Sequence, residues 1–120
     1  VIEGLGHIRL EVQDVARAVA FYRDGLRFGS LETGDAADQG VHFQAGRLHV
    51  VLVPTPNGRT PAAQNHGVRV TLDVAGVDAY HDALVARGLV PTAPSAEDDA
   101  RSFVVVDPDG YEWCFRQSLH

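Results

Sequence analysis

Residues 7–26 read HIRLEVQDVARAVAFYRDGL. The first six alternate polar and apolar, the period of a half-buried strand. Asp14 then stands where a helix N-cap belongs, and Val15, Val19 and Tyr22 share one face of the turns that follow. Gly25 is placed to end that helix. A strand running directly into an amphipathic helix is the signature of a sheet with helices packed on it.

Further strands are expected at FGSLET (28–33), GVHFQA (40–45) and RLHVVLVP (47–54), with a hairpin turn at Ala45-Gly46. Residues 54–65, PTPNGRTPAAQN, carry no hydrophobic period and read as a linker. The same order then returns. GVRVTLDV (67–74) is a strand, and Val77–Arg87 is a helix stopped by Gly88. LVPTAP (89–94) reads as a short edge strand, because its prolines exclude it from a central position. AEDDA (96–100) reads as a solvated loop, and RSFVVVD (101–107) and YEWCFRQ (111–117) as strands joined by a Pro-Asp-Gly turn.

The repeat is visible in residues. A shift of 62 carries Leu10-Glu11-Val12 onto Leu72-Asp73-Val74 and Val15 onto Val77, and a shift one longer carries Gly25 onto Gly88. Two copies of a βαβββ unit of about 55–60 residues are therefore expected. The fold class is α+β: one domain over 1–120, with module one at 1–54, a linker at 55–65 and module two at 66–120. The modules are expected to form a curled mixed sheet with a cleft, their helices on the outer face.

Composition narrows the function classes. Hydrophobic residues are 45% and charged residues 22%, the balance of a water-soluble globular chain. Net charge is −6, all ten basic residues are arginine, and no basic cluster stands out, which argues against nucleic acid as a partner. No apolar run approaches the ~20 residues of a membrane helix. No basic-then-apolar segment opens the sequence, and the single cysteine, Cys114, cannot form an internal disulfide, so a cytoplasmic protein is expected.

Alternation also sorts the strand faces. Ile8, Leu10, Val12, Leu48, Val50, Leu52, Val68, Val70, Leu72, Tyr111, Trp113 and Phe115 are expected to pack against the helices. His7, Arg9, Glu11, His49, Arg69, Thr71, Asp73, Glu112, Cys114 and Arg116 are expected on the opposite faces. Trp113 and Phe103 are core candidates, while the register of Phe43 is open between core and cleft. A solvated polar sheet face explains any one such strand, but four strands presenting histidine, arginine, carboxylate and thiol on one side suggest a site.

Three stretches carry a resemblance to a known family: GHIRLEVQDVARAVAFYRDGLRF, TLDVAGVDAYHDALVARGL and DPDGYEWCF. The chain resembles, over essentially its whole length, the vicinal oxygen chelate superfamily, which includes glyoxalases, bleomycin-resistance proteins and extradiol dioxygenases. That resemblance implies metal-ligand positions at His7, His49, Arg69 and Cys114. An arginine stays protonated and cannot take a metal, and cysteine exchanges a hard oxygen for a soft sulfur. The reading therefore favours a small-molecule-binding protein, anionic or antibiotic-like in its ligand, that lacks the standard metal quartet and needs no cofactor. Its ligand contacts would be His7, His49, Arg69, Glu112, Cys114 and Arg116. The rival is a metal-dependent lyase, isomerase or dioxygenase. It would hold one divalent ion (Zn, Mn, Ni or Fe) through His7, His49 and Glu112, with His66 as an alternative ligand. A metal-free enzyme with His7 or Glu112 as general base is a third class. The resemblance also implies a homodimer.

Overall fold

The computed structural model describes residues 1–31, 40–56 and 67–119. Most of the expected linker, with His66, lies outside them, as do residues 32–33 of the expected second strand. The chain divides into two compact units, Val1–Ala62 and Ala63–His120.

Unit one holds β1 (Ile8–Val12), α1 (Val15–Val19) continued by a π-helical segment (Ala20–Gly25), β2 (Gly29–Leu31), β3 (Val41–Ala45) and β4 (Leu48–Pro54). The sheet order is β1-β4-β3-β2, with β1 parallel to β4 and the other pairs antiparallel. Asp14 caps α1 as expected, accepting from the Arg17 amide at 3.1 Å. The helix ends at Gly25 as expected, with Gly25 buried in its last turn and Leu26 as the C-cap. The widened turn closes through the Leu26 amide on the Phe21 carbonyl at 2.8 Å, and Arg27 takes the left-handed conformation (φ 64°). Arg27 compensates for that strain by donating its Nε to the Asp24 carbonyl at 3.1 Å. Tyr22 meets Phe28 and Phe43 with ring centroids 5.7 and 6.4 Å apart, so Phe43 belongs to the core against the helix. The β3–β4 turn is centred on Gly46 (φ 59°) and Arg47, one residue later than expected.

Unit two holds β5 (Arg69–Asp73), α2 (Val77–Ala86), β6 (Ser95–Glu97), β7 (Ala100–Val106) and β8 (Glu112–Ser118). Its sheet runs β5-β8-β7-β6, with β5 parallel to β8. Trp113, Phe103, Phe115, Leu84 and Val77 are fully buried, and Tyr80 of α2 packs edge-on to Phe115 at 5.0 Å. Gly88 (φ 90°) ends α2, and the Leu89 amide closes back on the Leu84 carbonyl at 3.0 Å. The helix start has no side-chain cap of its own. Gln117 of β8 supplies one, accepting from the Val77 amide at 2.9 Å.

The edge strand differs from expectation. It lies at Ser95–Glu97 rather than 89–94, and of the acidic segment read as a loop, Ala96, Glu97 and Ala100 are strand and only Asp98 and Asp99 are turn. Pro91 and Pro94 have no amide to give a ladder. Asp98 and Asp99 both adopt positive φ (51° and 62°), the primed turn that suits a two-residue hairpin.

Candidate functional site

Each sheet has one face on its own helix and one face turned away from it. The functional candidates lie on the second face.

In unit one the register pairs Ile8 with Val50, so the next position back sets His7 beside His49. The two rings are 5.5 Å apart, tilted by 54°. β3 adds a third histidine that alternation did not single out. His42 Nδ1 lies 2.8 Å from His49 Nε2, and His42 is only 9% exposed. One of these nitrogens donates and the other accepts, which fixes the tautomer of each ring relative to the other. The signal for His42 was present in GVHFQA. Once Phe43 is assigned to the helix side, period two puts His42 on the other side. Below this group Arg9 and Glu11 approach to 3.8 Å, with the Glu11 side chain largely buried.

In unit two the parallel pairing is Arg69 with Glu112, Thr71 with Cys114 and Asp73 with Arg116. Arg69 Nη2 donates to Glu112 Oε1 at 2.8 Å, and Arg116 faces Asp73 at 3.7 Å. The hydrogen bond to Glu112 raises the Arg69 pKa further above its ordinary value, so its charge is permanent. Cys114 is buried between the two ion pairs and forms no disulfide. The turn that leads into β8 is built by Asp107. Its Oδ1 accepts from the Asp109 and Tyr111 amides at 2.9 and 2.8 Å, and its carbonyl accepts from Gly110 at 3.1 Å.

The register also settles which positions of the two units correspond. Carrying the shift of 62 from β1 to β5 takes Ile8 to Val70, whose partners are Val50 and Trp113. His49 therefore corresponds to Glu112, and Cys114 corresponds to Val51. The resemblance put the last-strand position of unit two at Cys114, whereas the ladder makes Glu112 the equivalent of His49.

Two of the candidate metal ligands already have partners. His49 shares Nε2 with His42, and Glu112 is held by a guanidinium. Among the described residues no three His, Cys, Asp or Glu groups stand close enough to hold a metal ion. His7 and His49 are brought together, and Arg69 and Glu112 are brought together. The set His7, His49 and Glu112 draws on both units, and His66 lies outside the described residues.

The comparisons agree with this architecture. The family model described as Glyoxalase/Bleomycin resistance protein/Dioxygenase superfamily matches residues 4–115. No curated protein matches the chain. Among solved structures, a protein assigned to the glyoxalase family from Bacillus anthracis is 19% identical, with TM-score 0.80, covering 98% of this chain and 97% of that one. TnmS3, an antibiotic binding protein from Streptomyces sp. CB03234, is 22% identical with TM-score 0.76, covering 98% and 99%. A fosfomycin resistance protein, FosX, from Listeria monocytogenes is 17% identical with TM-score 0.77, covering 98% and 95%. Likeness at this identity establishes the fold.

Proposed function

Because the chain belongs to the Glyoxalase/Bleomycin resistance protein/Dioxygenase superfamily, we propose that it is a small-molecule-binding protein for an anionic or antibiotic-like ligand, working without a resident metal. The observation that carries this reading is the pair Arg69–Glu112. In unit one the corresponding positions hold His7 and His49; in unit two they hold a permanent cation and its counter-ion. A guanidinium repels a metal ion and receives a carboxylate, sulfonate or phosphate. The similarity to an antibiotic binding protein supports the same direction. Binding is reversible sequestration, with Arg69 and Arg116 of unit two meeting the acid group. No bond is made or broken. No described helix is long and apolar enough to cross a membrane. From the single cysteine and the family, we propose a cytoplasmic homodimer.

A thermal-shift screen of anionic antibiotics and aromatic acids tests the reading, alongside elemental analysis of protein purified without chelator. A true ligand at about 100 times its dissociation constant adds roughly 2.7 kcal/mol. Near-stoichiometric metal with a chelator-sensitive turnover overturns the proposal in favour of a metal-dependent lyase, isomerase or dioxygenase. Light scattering reads the oligomeric state.

A further inference from the structure

Arg69 is held by a carboxylate of its own sheet, and that pair has features of an exchangeable contact. The Arg69 side chain is 50% exposed and the Glu112 side chain 31% exposed. Among the described residues Arg69 engages one of its five N–H donors, Nη2 on Glu112 Oε1. Two steps along the same face, Thr71 and Cys114 stand opposite each other, and two steps beyond them Arg116 meets Asp73 loosely at 3.7 Å. The face thus offers two arginines, each neutralised by an internal carboxylate, with small side chains between them.

We propose that Glu112 tunes the affinity of this face for acids: it is an internal stand-in for the acid group of the ligand, which a carboxylate, sulfonate or phosphate displaces from Arg69 on binding. This rests on the binding reading above and names what that site selects. A half-exposed ion pair contributes only about 0–1 kcal/mol, so exchange is cheap. An anionic ligand recovers the bond that Glu112 gives up and reaches donors that Glu112 leaves unused. A neutral ligand leaves the Arg69–Glu112 pair in place and neither gains nor loses by it. Glu112 therefore competes with an acid group for Arg69 and sets how tightly that group is held, without blocking entry.

The test titrates the intact protein with two fluorescent aromatic probes, 8-anilinonaphthalene-1-sulfonate and the uncharged N-phenyl-1-naphthylamine. Glu112→Gln is expected to tighten the sulfonate up to about fivefold, the factor that 1 kcal/mol sets. Arg69→Gln is expected to weaken it several-fold, and the double variant to lose the gain given by Glu112→Gln. The uncharged probe is expected to bind all variants alike. Glu112→Ala provides a second removal of the charge. Unchanged or weaker sulfonate binding in both Glu112 variants overturns the proposal, as does an equal change for the uncharged probe or no saturable sulfonate binding at all. If the uncharged probe still binds saturably in those cases, the binding reading stands and only the role of Glu112 falls. If neither probe binds and the ligand screen is empty, both fall.

Discussion

Replacing Asp107 by alanine removes one acceptor from two amides at once. Asp107 Oδ1 takes the Asp109 and Tyr111 amides at 2.9 and 2.8 Å, and both aspartates are nearly buried, at 5% and 6% exposed. A hydrogen bond to a charged group contributes about 1.5–3 kcal/mol, and a buried donor left without a partner costs about 1–3 kcal/mol. The two bonds share one oxygen and do not add fully. The expected loss for Asp107→Ala is therefore about 2–4 kcal/mol. Asp107→Asn keeps an oxygen at the same place and loses only the charge, so its expected cost is about 0.5–1.5 kcal/mol. Guanidinium denaturation followed by Trp113 fluorescence reads both variants. Trp113 is the sole tryptophan and lies in β8, one residue past Glu112. The same turn sets where β8 begins, so Asp107→Ala should also loosen the Arg69–Glu112 pair. A cost below about 1 kcal/mol for Asp107→Ala, or an asparagine variant no better than alanine, refutes the assignment of Oδ1 as the turn's anchor.

Three other perturbations follow from the geometry. His42→Phe keeps the ring volume and removes the 2.8 Å bond to His49; the expected cost is about 1 kcal/mol, with His49 losing its single tautomer in nitrogen NMR. Gln117→Ala leaves the Val77 amide uncapped at the start of α2; the expected cost is about 1 kcal/mol, with faster hydrogen exchange at Val77. Burial pushes the Tyr80 phenol up to about 12 against an opposing pull from Arg87. The unfolded chain releases that proton near pH 10, so the contribution to stability is complete below about pH 10 and is lost as pH rises toward 12. Phenolate absorbance should show a late-titrating tyrosine that Tyr80→Phe removes.

The repeat, the strand–helix order and the sorting of most side chains to one face or the other were legible in the sequence. Each of these depends on residues near one another in the chain. Leu10, Val12, Leu72 and Trp113 had to face a helix because an alternating strand has only two sides. DPDG had to turn because Asp and Gly tolerate what a tight turn demands. The place of β6 was misjudged for a local reason: two aspartates at positive φ make a hairpin that charge alone had marked as loop.

The pairing of functional groups was a different matter. Whether Glu112 meets Arg69 or stays free for a metal depends on the ladder between strands 43 residues apart. Whether His49 is shared with His42 depends on a diagonal contact across two strands. The sequence by itself determined two βαβββ units and the side of the sheet on which each ionisable group stands. Only the tertiary structure decided which of those groups neutralise each other, because a shift of two residues in register exchanges every cross-strand partner while leaving each side chain on its own face.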